Sequence, residues 1–162
     1  MHNLFIILVY SFPFAFLFHV TEEFFIPGGF PRWFATYRPG VAQPILKAFL
    51  KRNFIYFMIM LIVAFTSANT NFSIICGPLI SSGIMGFNAF GTHVFGAIKT
   101  HQYSPGMVTA ILLLLPITIM TFILAYQLHV TDSLGIVIGL LSGILFEAWQ
   151  VIKTKVVNLS SR

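Results

Sequence analysis

Apolar positions along this chain fall in long uninterrupted runs, and polar residues gather at the breaks between them. A helix needs roughly 20 largely apolar residues to cross the hydrocarbon core of a bilayer. Five such runs can be drawn: residues 3–26, stopped by Pro27-Gly28-Gly29; 53–69; 72–98, ending at Lys99; 105–127; and 133–152, closed by Lys153 and Lys155. No run alternates as a barrel strand does, and backbone polar groups cannot stay open in lipid, so each is expected to be a helix. The pattern predicts an all-α, polytopic transmembrane helix bundle of five spans, a single domain over residues 1–162. Pro105, with Ser104 before it as N-cap, suits the opening of the fourth helix. Pro13, Pro78 and Pro116 are expected to kink three of the helices. Gly135, Gly139 and Gly143 form a small-residue stripe at which a neighbouring helix can approach closely.

Composition supports a lipid environment. The chain is 57% hydrophobic and 8% charged, where a soluble domain is about one quarter charged. The net charge of +5 forms no basic stripe, which excludes nucleic acid as a partner. Its distribution fits membrane topology instead. Arg32, Arg38, Lys47, Lys51 and Arg52 lie between the first and second runs, Lys99 between the third and fourth, and Lys153, Lys155 and Arg162 after the fifth. With five spans all of these fall on one side, so the positive-inside rule puts the N-terminus outside and the C-terminus in the cytoplasm. The expected location is the cell (inner or plasma) membrane, multi-pass. The first run lacks a Lys/Arg n-region and an A-x-A-like cleavage site, and is expected to be a retained helix. Cys76 stands alone, which rules out an intrachain disulfide and a Cys-based metal cage; it reads as a small core residue.

Residues 27–52 form a cytoplasmic loop too long for a mere connector. Trp33 and Tyr37 suit the membrane interface. Over residues 44–52, Ile45, Leu46, Phe49 and Leu50 share a face opposite Lys47, Lys51 and Arg52. That pattern predicts either an interfacial amphipathic helix or a snorkelling entry into the second span.

Ionisable residues inside spans are functional candidates by default. His19, Glu22 and Glu23 stand at i, i+3 and i+4, on one face of the first helix. His93 precedes Lys99 by six residues and Glu147 precedes Lys153 by six. All five are expected at one depth near the cytoplasmic leaflet. Imidazole and carboxylate together suit a divalent metal, iron or zinc, with His19, Glu22, Glu23, His93 and Glu147 as ligands. Glu23 or Glu147 would double as a general base. The plainer alternative has Glu22 and Glu23 marking the interface and pairing with Lys99, Lys153 or Arg32. Asn88, Tyr103 and Thr109 are candidates for contacting substrate or supporting the ligands; Asn88 alone equally suits helix–helix glue. Free N–H groups at the start of the fourth helix offer an anion site. His101 reads as exposed loop, and His129 and Asp132 as outer surface.

His19-Val20-Thr21-Glu22-Glu23 in a first apolar span, followed by His93 and Tyr103-Ser104-Pro105-Gly106 with Thr109-Ala110 beyond, resembles the HXXEE-motif integral membrane protein family. The resemblance implies a small, multi-span protein of a largely uncharacterised and mostly bacterial family. It also implies that His19, Glu22, Glu23, His93, Tyr103, Pro105 and Gly106 act together, without naming a reaction.

The function expected from these residues is a membrane-embedded metal-dependent enzyme acting on a lipid or other apolar substrate at the cytoplasmic leaflet. Two alternatives are a metal-free acid–base isomerase and a small transporter or proton relay. The outer half offers little ionisable lining for the relay, and five spans are few for a transporter unless the chain forms a homo-oligomer. Partners are thus the bilayer, an apolar substrate and, on that last reading, further copies of the chain.

Overall fold

A computed structural model describes residues 2–39, 46–69 and 76–160, without the side chains of His2, Ala68, Asn69, Cys76 and of residues 153–160. Expectations that rest on residues 44–45 and 72–75, on Arg162 and on the Cys76 side chain lie outside the described residues. All regular structure among the described residues is helical: α1 (His2–Phe24), α2 (Phe30–Tyr37), α3 (Leu46–Asn69), α4 (Cys76–Asn88), α5 (Phe95–Thr100), α6 (Met107–Thr109), α7 (Leu115–Gln127) and α8 (Ser133–Ser160). Two π-helical segments, Ala89–Val94 and Ala110–Leu114, join α4 to α5 and α6 to α7.

Four helices are long and apolar enough to cross a membrane: Asn3–Phe24, Leu46–Ser67, Met107–Gln127 and Ser133–Ile152. This corrects the expectation of five. The third expected span, residues 72–98, is not among them, because its described part, from residue 76 on, carries Gly83, Gly86, Gly91 and Gly96 together with Ser81, Ser82, Asn88, Thr92 and His93. Such a composition suits a helix covered by other helices. It nevertheless runs between the same two ends of the bundle as its neighbours. Leu79 packs with Phe5, Ala64 and Leu124 at one end. Met85 and Ala89 join Phe12, Phe16 and Met60 in the middle.

Small residues let the inner run meet α8 at backbone distance. A Cβ on Gly83 would stand 2.0 Å from the Gly139 carbonyl oxygen, and one on Gly143 would stand 2.4 Å from that of Gly83. Gly135 faces Thr131 instead. Hydroxyls add polar contacts across the same seams: Ser142 donates to Ile80 O at 3.3 Å and Thr118 to Ser82 O at 3.2 Å. On the outside the bundle presents Ile7, Phe18, Phe54, Ile62, Leu112 and Leu145, all exposed. An apolar surface on this scale suits a lipid solvent.

Prolines have separate outcomes. Pro13 lies inside α1. Pro116 sits in the first turn of α7, directly after the π segment Ala110–Leu114. The wider π turn accommodates a residue that has no N–H to give. Residues 46–52 continue without a break into α3. The amphipathic element that stands apart in this region is α2, which buries Phe30, Trp33 and Tyr37. Those rings and Phe49 form a cluster of their own at the end of the bundle.

Candidate functional site

Helix α1 carries His19 and Glu23 one turn apart, and both are buried. The π segment Ala89–Val94 brings His93 to meet them. Phe95 N–H bonds back to Phe90 O, one residue further than in an α-helix, and the extra residue turns Thr92 and His93 inward together. Glu23 Oε1 lies 3.7 Å from His19 Nε2 and 3.4 Å from His93 Nε2. The two imidazoles meet edge to face, with centroids 4.6 Å apart. Ligand atoms from His19, Glu23 and His93 all fall within 4.8 Å of one another.

Each imidazole is held from behind by a hydroxyl. His19 Nδ1 is 3.0 Å from Thr109 Oγ1, and His93 Nδ1 is 3.0 Å from Ser104 Oγ. Ser104 is therefore engaged with His93 and not with a helix end; α6 begins at Met107 after Gly106. Gly106 has φ +96°, and a Cβ there would stand 2.8 Å from Cε1 of both histidines and 2.9 Å from Glu23 Cγ. Only glycine combines that backbone angle with that clearance. The turn formed by Ser104-Pro105-Gly106 thus closes over the three side chains. On the far side of His93 stands α2, with Trp33 near-parallel at 6.3 Å and Phe30 at 5.6 Å.

Glu22, next to Glu23, faces another element. Its Oε1 accepts from Val108 N–H at 3.0 Å and from the Tyr103 hydroxyl. Its Oε2 accepts from Thr109 N–H at 2.7 Å and from the Thr109 hydroxyl at 2.5 Å. A carboxylate thus covers free N–H groups where the fourth expected span begins, the place read from sequence as an anion site. Burial and the adjacent Glu22 carboxylate push the Tyr103 phenol up from 10.0 to about 12. With a raised pKa, the stability this contact contributes is present below pH 10.0 and is lost as pH rises through about 12. The tyrosinate absorbance of the protein minus that of Tyr103→Phe is expected to isolate one phenol titrating near that upper value. Glu22→Gln should move it back toward 10.0.

Glu147 stands apart from the three-residue group. Its Oε2 lies 3.3 Å from Arg38 Nη2, at the end of α2. The space it occupies is left by Gly91, whose Cβ would come within 3.3 Å of the carboxylate. Tyr37 donates to Gly91 O at 3.0 Å, and the Arg38 guanidinium lies over the Tyr37 ring. Arg38, read from sequence only as a topology signal, thus ties α2 to α8. Asn88 accepts from the Thr92 hydroxyl at 3.0 Å, within its own helical run. At the opposite end of the bundle, Asp132 Oδ1 accepts from Gly135 N–H and caps α8.

Ser104, read from sequence as an N-cap, and the turn of the π segment had no strong sequence signal as site features, whereas Gly106 entered with the family resemblance. The one available was the Y-x-P-G string, in which glycine after proline marks a turn. No curated protein and no solved structure matches the chain. The profile of one family does match, over residues 10–121, from the first helix past the His93 and Tyr103 blocks. The chain belongs to the family of proteins of unknown function with an HXXEE motif, which His19, Glu22 and Glu23 supply.

Proposed function

We propose that His19, His93 and Glu23 hold a divalent metal, iron or zinc, and that the protein is a membrane-embedded metal-dependent enzyme acting on a lipid or other apolar substrate. One observation carries the reading: His93 Nε2 is buried, faces Glu23 Oε1 and has no hydrogen-bond partner among the described residues. An orphaned buried polar atom costs about 1–3 kcal/mol, and a cation at the centre of the group removes that cost. The two separations to Glu23 fit. Ligands about 2.0–2.2 Å from a tetrahedral ion stand about 3.4 Å from one another, close to the 3.4 and 3.7 Å found here. Two imidazoles and one carboxylate leave further coordination positions open, as in non-haem iron and catalytic zinc sites. A metal held there acts as a Lewis acid and lowers the pKa of bound water.

This end of the bundle carries α2, the start of α3 and Lys99, where the Lys and Arg residues concentrate. On the positive-inside rule it faces the cytoplasm, and the cell membrane is the location that follows. Glu147 serves the latch to Arg38 and is not needed as a ligand on this reading. A second reading, metal-free acid–base chemistry, is favoured by the position of Glu23 between two imidazoles, where a single proton can be shared.

Elemental analysis and cobalt titration of protein purified in mild detergent test the choice. About one ion per chain is expected, lost in His19→Ala, His93→Ala and Glu23→Gln and kept in Glu147→Gln. No bound metal in the unaltered protein, with or without added iron and zinc, would overturn the metal reading and leave acid–base chemistry ahead.

A further inference from the structure

The two acids of the motif point to different elements, since adjacent residues on a helix turn about 100° from one another. Glu23 faces the histidines, while Glu22 faces residues 103–109. Hydrogen counting then assigns Glu22 a task. A carboxylate offers about four lone-pair positions, and Val108 N–H, Tyr103 O–H, Thr109 N–H and Thr109 O–H occupy them. No position is left for a metal.

The Thr109 hydroxyl has one hydrogen and two oxygens in reach besides His19: Glu22 Oε2 at 2.5 Å and Gly106 O at 3.2 Å. Both are acceptors only. Turning the hydrogen toward His19 would press two bare oxygens together at 2.5 Å. The hydrogen therefore goes to an oxygen, and a Thr109 lone pair faces His19 Nδ1 at 3.0 Å. That nitrogen must carry the ring's hydrogen. In a neutral imidazole the other nitrogen is then bare, and Nε2 is the one that faces Glu23.

We propose that Glu22 is a positioning residue which, through Thr109, fixes the His19 hydrogen on Nδ1 and aims the bare Nε2 at the space shared with Glu23 and His93. Free histidine in water favours the opposite tautomer, with the hydrogen on Nε2, so the protein sets the less common form. Partners of this kind behind a metal-binding imidazole fix its tautomer and orientation. The use of the bare nitrogen rests on the metal reading above; the tautomer itself does not.

Nitrogen NMR of metal-free, 15N-histidine-labelled protein in detergent at pH 8 reads the tautomer directly, with His19 assigned by its disappearance in His19→Gln. The expected result is a protonated Nδ1 and a bare Nε2. Thr109→Ser, which keeps the hydroxyl, should preserve it; Thr109→Val and Glu22→Gln should let the hydrogen move to Nε2. A hydrogen on Nε2 in the unaltered protein would overturn the proposal, as would an unchanged tautomer in folded Thr109→Val. If Thr109→Val does not fold, the tautomer of the unaltered protein and its change in Glu22→Gln still decide, and an unchanged tautomer in folded Glu22→Gln would overturn the proposal. Cobalt titration separates the two claims. Affinity about 10–100-fold weaker in Thr109→Val supports both, whereas the stated tautomer with no cobalt bound supports the role of Glu22 and overturns the metal reading alone.

Discussion

Gly106→Ala is expected to lower stability by several kcal/mol and to abolish the proposed metal binding at once. Two costs coincide. Holding alanine at φ +96° costs about 1–2 kcal/mol for an L-residue. Forcing a methyl to within 2.8 Å of both imidazoles adds the about 1–3 kcal/mol of an overpacked core. The methyl can be relieved only by pushing His19 and His93 apart, which destroys the geometry around Glu23. Gly29→Ala provides the control, since Gly29 has φ +91° with nothing among the described residues within 4 Å of a Cβ. It should show the backbone cost alone in thermal unfolding and leave cobalt binding intact. Equal losses in the two variants would mean that residue 106 matters only for its backbone angle.

Gly83→Ala is expected to be comparably damaging at the opposite extreme of chemistry, at a seam where its Cβ would meet only Gly139 and Ser142 among its nearest neighbours. Its Cβ would stand 2.0 Å from the Gly139 carbonyl oxygen, a backbone atom that cannot rotate away. The inner run and α8 must separate, so the loss belongs at or above the upper end of the about 1–3 kcal/mol typical of overpacking. Gly77→Ala meets a side-chain methyl of Val63 at 2.9 Å, and Val63 can shift. A fall in thermal midpoint much larger for Gly83→Ala than for Gly77→Ala is the result to look for. Similar small shifts would show that the helices slide freely at this seam. Displacing α8 also carries Glu147 away from Arg38, so the loss should extend to the packing of α2.

How much of this was legible depends on the range of the interaction. The apolar runs that became α1, α3, α7 and α8 were plain, because lipid tolerates only long closed helices and leaves that demand in the sequence as length. The run around His93 was harder. Its glycines and polar residues reflect burial among other helices, and hydropathy scores them as if they faced lipid. Within the site, His19 and Glu23 could be paired from their spacing alone. The separate direction of Glu22 could not, because i+3 and i+4 both count as one face until a neighbouring element claims one of them. Glu147 was placed by counting back from Lys153, a measure of depth that says nothing of direction around the helix. Its partner, Arg38, lies 109 positions away in sequence. The π segments were invisible, since one inserted residue in a helical ladder changes no composition or period.

The double anchoring of the imidazoles has a consequence for selectivity. Each ring meets a hydroxyl at Nδ1, the two rings meet edge to face, and His93 has Trp33 near-parallel to it as well. Immobilising a mobile side chain on binding costs about 0.5–1.5 kcal/mol, and here that ordering is complete once the chain has folded. On the proposed metal reading, imidazoles fixed in this way would discriminate by radius and angle: an ion too large for the gap between them could not widen it, and one too small could not draw them in.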